Sequence, residues 1–391
     1  MIDAIVVGAG PAGLNAAAEI SGGGLSVLLV DREYFPRHKP CGGGLTVKAL
    51  AQLQASAGDV ICNVSSTLRM GIAGRTERLF QNNDPICGFV VREQFDLQQF
   101  ESIVTTDIEF EKIKKIEGLE IATDYVRLLF DGGRIVEAKY LVGADGANGV
   151  IRRYVTPKSW FHRGFAVEGK VSFRQGEQRR SPEFIFGVVD HGYGWIFPKE
   201  DHWNVGVYTC KEGVKLSKAE LVKYASQRLG RSDVDDITGF PLGFGGERYQ
   251  PRIPRVLLAG DAAGFAEPLL GEGIHNAIKS GRAAGRAIRR ALKGRVPANM
   301  LYHRELDAIR RDVDRCDRIA RSFFYPNLLG RGFGALKFPV TETALMRGFA
   351  AGKTLYEITN TFYLSPFYER MVPESLRDYY QRSSNHHHVA S

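Results

Sequence analysis

Glycine stands at positions 8, 10 and 13 in the run Gly8-Ala9-Gly10-Pro11-Ala12-Gly13, between a short β-branched stretch, Ala4 to Val7, and an alanine-rich stretch reaching Ile20. A strand that turns through glycines into a helix makes a phosphate cradle. Gly8 permits the tight turn, Gly10 lets a pyrophosphate approach the backbone, and Gly13 lets the helix pack closely on the strand. The start of that helix offers unpaired N–H groups and a partial positive charge to the phosphates. A second apolar run, Ser26 to Val30, ends in Asp31, whose carboxylate is placed to accept hydrogen bonds from ribose hydroxyls, and Arg32 follows. This chemistry is the binding of a dinucleotide.

Two later turns narrow the dinucleotide. Leu258 to Gly264 reads as a strand entering a turn, with Gly260 at the bend and Asp261 set to bind a ribityl chain. After it, Pro268-Leu269-Leu270-Gly271-Glu272-Gly273-Ile274 opens a helix whose N-terminus points at the pyrimidine edge of a flavin. Negative charge gathers there on reduction, so a helix N-terminus stabilises it. With Val142 to Asn148, which holds Asp145 and Gly146, the chain has three glycine–aspartate turns, and the dinucleotide they indicate is FAD.

These turns need elements to hold them. The first strand, turn, helix and second strand form one βαβ unit. The apolar spacing from Glu93 to Ile103 predicts a helix, and Val126 to Val142 predicts two or three strands joined through Asp131-Gly132-Gly133. Residues 163–210 contain β-rich runs with interleaved aromatic residues, which predict an antiparallel sheet inserted into the first domain as a substrate wall. From Leu306 the positions Ile309, Val313, Cys316, Ala320 and Phe323 mark an amphipathic helix that packs on the core.

The expected fold is therefore α/β: a doubly wound, Rossmann-like FAD-binding domain from 1–75, 93–160 and 250–300, with an antiparallel substrate domain from 76–92 and 161–249. A helical region, 301–382, and a disordered tail, 383–391, complete it. His386-His387-His388 reads as part of that tail and not as a metal site, and no metal is expected.

The bulk numbers fit a globular protein of 391 residues, with 44% hydrophobic and 25% charged residues. The net charge of +8 favours an acidic partner, but no nucleic-acid reading motif accompanies it, so no nucleic acid is expected. Five cysteines, none in a CxxC pair, suggest neither a disulfide framework nor a zinc site. The N-terminus lacks a basic leader, and no apolar run is long enough to span a bilayer, so a cytoplasmic protein is expected. Peripheral membrane contact stays open, with Phe323, Phe324, Tyr325, Arg331 and Phe333 as the region that would roof the pocket or touch a surface.

Over roughly residues 1–300 the three turns resemble those of the flavoprotein hydroxylase superfamily. That family usually continues the late turn with histidine and then GQG; this chain has Gly264 and Gly271-Glu272-Gly273-Ile274. These departures, with Lys39-Pro40-Cys41-Gly42-Gly43-Gly44, are similar to the geranylgeranyl reductase family, flavoenzymes that saturate isolated double bonds of isoprenoid chains. Tyr193-Gly194-Trp195-Ile196-Phe197-Pro198, with Gly206 beyond it, resembles that family's YxWxFP pattern. The resemblance implies a lipid pocket lined by Tyr193, Trp195, Phe197, Pro198 and Gly206, and flavin contacts from Arg37, Cys41, Gly42, Gly43 and Arg92.

An isolated alkene has no group to stabilise an anion, so protonation must lead or accompany hydride delivery from the reduced flavin. Cys41 is the expected proton donor, because a free thiol with a pKa of roughly 8.5 keeps its proton at neutral pH. Tyr193 is the second. The flavin needs a reductant, and no second strand–GxGxxG–helix unit is present; Gly243-Phe244-Gly245-Gly246 lacks that frame. NADPH or NADH binding transiently, or a reduced ferredoxin, would serve. The rival readings are an FAD-dependent aromatic or lipid monooxygenase, a flavin halogenase and a non-catalytic flavin-bound sensor or lipid carrier.

Overall fold

A computed structural model describes residues 1–53, 55–75, 77–104, 107–156, 160–325 and 342–363. The strand Ile2–Val7 lies between Val27–Asp31 and Ile135–Gly143, parallel to both, and Ile108–Lys112 extends the sheet parallel to Val27–Asp31. Ala4 to Val7 and Val27 to Val30 are continuously buried, as strands covered on both faces must be. The two strands expected around Asp131-Gly132-Gly133 are Val126–Phe130 and Ile135–Gly143, antiparallel, with Ile116–Ile121 beyond them.

Ile135–Gly143 is long enough to serve two neighbours along one edge. Its first half pairs with Val126–Phe130, and its last three residues pair in parallel with Val256–Leu258. Three parallel strands therefore finish side by side, and the turns that follow them, at Gly8, Ala144 and Gly260, meet at one end of the sheet. Ligands bind at this end of open α/β sheets. Behind the turns the helix Pro11–Ser21 lies against Ile274–Lys293, and their approach depends on missing side chains: a Cβ on Gly281 would stand 2.1 Å from the Ala12 carbonyl oxygen.

The second sheet has seven strands in the order Asp235–Phe244, His162–Ser172, His202–Thr209, Gly192–Pro198, Glu183–Phe186, Thr67–Ile72 and Glu77–Gln81. All of its pairs are antiparallel except Glu183–Phe186 with Thr67–Ile72. The helix Lys218–Leu229 covers one face through Leu221, Tyr224 and Ala225.

Two segments lie elsewhere than the sequence reading put them. Thr67–Ile72, expected with the nucleotide unit, is hydrogen-bonded into this second sheet. Cys87–Val90, expected with the substrate sheet, forms a third, small sheet with Gly44–Thr46 and Ile61–Ser65.

The helix expected from Glu93 runs Arg92–Ile103. The amphipathic stretch after Leu306 is the helix Asp307–Arg318 continued by a π-turn, Ile319–Phe324, and Leu306, Ile309, Val313, Cys316 and Ala320 are all buried. Helices Glu342–Ala350 and Leu355–Tyr363 follow. The rest of the expected helical region, with Arg331 and Phe333, lies outside the described residues, as does the tail with His386-His387-His388. Among the described residues no helix is long and apolar enough to cross a membrane.

Candidate active site

The glycine turn is built as its spacing requires. Gly8 has φ +100°, and a Cβ on Gly13 would fall 1.7 Å from the Gly8 carbonyl oxygen, so helix and strand touch backbone to backbone. Gly10 is different. The nearest atom to a Cβ there is Arg37 Nη2 at 4.0 Å, so open space lies in front of the turn. Gly10 caps Pro11–Ser21 and Gly273 caps Ile274–Lys293, neither with a side-chain hydrogen bond, and both helices start at the same cavity. Two helix N-termini without side-chain caps give one cavity a positive wall made of backbone.

The cavity holds about 1670 Å³ of empty space, its open mouth included. Of the expected cofactor residues it brings together Gly10, Pro11, Ala12, Cys41, Gly42, Gly43, Arg92, Gly146, Gly260, Asp261, Gly271, Glu272, Gly273 and Ile274. Asp261 accepts from Gly243 N at 3.4 Å, and burial raises its pKa. Arg92 forks onto Asp96 at 2.9 Å through both Nε and Nη2, while Arg37 Nη1 stands 3.2 Å from the same carboxylate. Arg37 Nε is buried without a partner. One carboxylate for two guanidiniums leaves an excess cation facing the cradle, which fits the phosphates of FAD.

Two expected acids do other work. Asp31 does not line the cavity; its Oδ2 accepts the Ala9 N–H at 2.7 Å and its Oδ1 the Glu33 N–H at 3.1 Å, so it braces the turn. Arg32 is exposed. Asp145 does not line the cavity either, and its Oδ2 accepts from Val150 N and Ile151 N at 2.5 and 3.1 Å, fixing the start of the helix Ile151–Val155. In that middle turn the glycine, Gly146, faces the cavity while the aspartate caps a helix.

The loop before the second helix is suspended by side chains. Tyr193 donates to the Leu270 carbonyl, Tyr208 to that of Pro268 at 2.9 Å and Tyr325 to that of Leu269 at 2.6 Å. Inside the loop the Glu267 carboxylate accepts from Leu269 N at 2.9 Å, Leu270 N at 2.7 Å and Glu272 N at 3.2 Å. Glu272 in turn pairs with Lys48 at 2.8 Å and accepts from Thr46.

Burial, aided by the Glu272 carboxylate and opposed by Lys48, pushes Glu267 from 4.5 up to about 7. A carboxyl raised in the folded state contributes stability that is complete below 4.5 and is lost as pH climbs through about 7. The Glu267→Gln protein should lack this slope. Measured by urea unfolding, wild type should lose up to about 3 kcal/mol relative to the variant between about pH 4.5 and pH 8. Parallel stability curves would show that Glu267 titrates as an ordinary carboxyl.

The cysteine loop meets the sheet at the middle of the cavity. Cys41 Sγ accepts from Gly43 N at 3.4 Å and from the Arg92 side chain, and Cys41 N donates to Glu168 Oε1 at 2.7 Å. Lys199, 2% exposed, donates to the carbonyls of Gly42 and Val90 at 2.7 and 2.8 Å, tying the loop to the sheet; burial lowers it to about 8. Lys39 also lines the cavity, its Nζ 4.1 Å from the centre of the Phe240 ring, and burial together with Arg92 and Arg37 lowers it to about 8.

Beyond the loop the wall is aromatic. Side chains alternate along a strand, so Tyr193, Trp195 and Phe197 face the cavity while Gly194 and Ile196 face the Lys218–Leu229 helix. The same alternation turns Pro198, an expected pocket residue, to the far face. Gly206 also lines nothing directly. It pairs with Trp195, and a Cβ there would stand 1.9 Å from the indole, so its role is to seat that ring. Tyr193 is buried with its hydroxyl already donating and its pKa held well above 10, foremost by burial, which removes it as a ready acid.

Among the polar residues to which the sequence reading gave no role are Lys39, Glu168, Lys199 and Glu267. Lys39 stood inside a quoted motif and Lys199 beside one, and a charged residue next to an apolar wall was the available signal. Glu168 and Glu267 carried none.

The FAD binding domain family matches residues 3–66. Menaquinone reductase of Mycobacterium tuberculosis is 33% identical over 314 residues, covering 72% of this chain and 75% of the relative. Geranylgeranyl diphosphate reductase of Rhodobacter capsulatus is 27% identical over 317 residues, covering 76% and 78%. A geranylgeranyl bacteriochlorophyll reductase-like protein of Thermoplasma acidophilum shares the fold, with a TM-score of 0.74 at 20% identity over 92% of this chain and 98% of that one.

Proposed function

Because this chain belongs to the geranylgeranyl reductase-like family of FAD-dependent oxidoreductases, we propose that it saturates isolated C=C bonds of a geranylgeranyl or other polyprenyl chain carried on a lipid or a diphosphate. One observation carries the reading: a single cavity joins the two helix N-termini to an apolar wall of Tyr193, Trp195, Phe197, Leu68, Ile86 and Phe89, with Cys41 between the two ends. A polar ligand suits the first end and a hydrocarbon chain the second.

Bound there, FAD supplies the hydride. Gly10, Arg37 and the start of Pro11–Ser21 would hold its phosphates, Asp261 its ribityl chain, and Gly271 to Ile274 its pyrimidine edge. The aromatic wall excludes water and shapes the path of the prenyl chain. Of the two expected proton donors Tyr193 is committed to Leu270, whereas Cys41 stands at the junction of the two ends, its sulfur accepting from Gly43 and Arg92. The reading includes reduction of the flavin by NADPH, NADH or a reduced ferredoxin, and access to the lipid by peripheral contact with a membrane face.

The test is anaerobic incubation of the dithionite-reduced holoenzyme with geranylgeranyl diphosphate or a geranylgeranylated glycerophospholipid, followed by mass spectrometry. Each reduced bond should add two hydrogens. Oxygen uptake coupled to a hydroxylated product, without alkene loss in its absence, would overturn the reading in favour of a monooxygenase.

A further inference from the structure

Glu168 is 8% exposed on the cavity face of the His162–Ser172 strand. Register fixes its position. Glu168 pairs with Gly206, and Gly206 pairs with Trp195, so the three stand in one row across the sheet and face the same way. Gly206 contributes no side chain, and the Trp195 ring fills its place. The carboxyl thus belongs to the wall along which the prenyl chain would lie.

Its orientation is fixed by hydrogen bonds. Trp195 Nε1 donates to Asn204 Oδ1 at 2.7 Å, which leaves the Asn204 amide N–H groups free to donate, and one donates to Glu168. The other fixed partner is Cys41 N at 2.7 Å. The charged groups that act on it, Lys199 and His38, do so only at longer range, and Lys199 is committed to the Gly42 and Val90 carbonyls. Burial outweighs all of these and raises the pKa of the carboxyl, so it is readier than an ordinary glutamate to carry a proton.

We propose that Glu168 is the acid that protonates the double bond, an assignment that rests on the prenyl-reductase reading. The π pair of the C=C bond takes the Glu168 O–H proton at one carbon, and the neighbouring, more substituted carbon accepts the hydride of the reduced flavin. Two C–H bonds form, the alkene is reduced, the flavin is oxidised, Glu168 is left as a carboxylate, and a proton from solvent restores it. Acid strength favours this donor. An unactivated alkene is a very weak base, and an ordinary carboxyl, at roughly 4.3, is a far stronger acid than a thiol at roughly 8.5 or a phenol at roughly 10.

The experiment mixes dithionite-reduced, oxygen-free holoenzyme with geranylgeranyl diphosphate and follows flavin reoxidation by stopped flow. Glu168→Gln keeps an oxygen for the Cys41 N–H but has no acidic proton; it should slow reoxidation by about 100-fold or more while flavin content and midpoint potential stay at wild-type values. The wild-type rate should fall as pH rises through the carboxyl's titration, and the variant's rate should be flat. Cys41→Ala should cost less than the glutamine variant.

Infrared difference spectra of the flavin-free protein give a readout independent of turnover. The wild-type minus Glu168→Gln difference spectrum should contain a protonated-carboxyl band that titrates away as pH rises, beyond the bands common to both proteins from other buried carboxyls such as Glu267. If the glutamine variant loses flavin, Glu168→Asp, which keeps the acid on a shorter arm, should bind flavin and reoxidise faster than it; flavin binding without that recovery overturns the proposal. Wild-type rates in Glu168→Gln, or a missing infrared band, also overturn it and leave the reductase reading intact. If wild type itself is reoxidised by neither geranylgeranyl diphosphate, a geranylgeranylated glycerophospholipid nor a menaquinone, the reductase reading fails and the assignment falls with it.

Discussion

Gly10→Val protein should fold and melt close to flavin-free wild type, yet purify without FAD. Gly10 has extended backbone angles, φ −79° and ψ −177°, that any residue adopts, and apart from its chain neighbours no protein atom lies nearer than 4.0 Å to the site of a new Cβ. The added bulk therefore meets the pyrophosphate and not the protein. FAD affinity should fall by a factor of roughly 100 or more, the loss of about 3 kcal/mol. Gly13→Ala makes the opposite prediction, because its methyl group would overlap the Gly8 carbonyl and must part helix from strand. That change should cost about 3 kcal/mol of stability before any ligand is added. Bound flavin itself stabilises the fold, so the melting comparison is made on flavin-free forms. Visible absorbance after purification and calorimetric titration with FAD complete the test; tight FAD binding by Gly10→Val would show that the phosphates do not pass this turn.

The second large effect is expected at Gly206. In Gly206→Ala the new methyl would lie 1.9 Å from the Trp195 ring, so the indole must leave its seat and give up its 2.7 Å hydrogen bond to Asn204. The aromatic floor is then misplaced while the glycine turn and the two helix N-termini are untouched. Prenyl reduction should fall by about 100-fold, since misplacing a substrate by an ångström costs on that order. Flavin content should hold, and tryptophan fluorescence should shift to the red. Gly194→Ala is the control: its methyl meets the Tyr224 ring at 2.4 Å on the opposite face of the same sheet, so stability falls without a change in the cavity floor. Full activity in Gly206→Ala would remove Trp195 from the substrate path.

Features set by neighbouring residues could be read from the chain. The first turn needs only a strand, three glycines and a helix in sequence, and Gly8, Gly10 and Gly13 keep the separate steric roles their spacing implies. Strand alternation was equally available for Tyr193, Trp195 and Phe197, and applied one residue further it would have put Pro198 on the other face. Asp145 misled because a glycine–aspartate turn serves two ends: its carboxylate satisfies helix N–H groups five and six residues on, where a ligand contact was expected. Glu168 was beyond reach for another reason. Its partner Cys41 is 127 residues away, and only the registers of His162–Ser172 and of Gly192–Pro198 against His202–Thr209 bring carboxyl and indole into one row. Pairings of that separation are fixed by the whole sheet.

The three phenols that hold the carbonyls of residues 268–270 come from outside the dinucleotide sheet, two from the second sheet and one from the end of the C-terminal π-turn. The cofactor half is for that reason not a portable module. Grafted alone onto another protein it would carry its phosphate turn but lose the anchors of the loop at the flavin's far edge, so the three parts can change in evolution or by design only as a set.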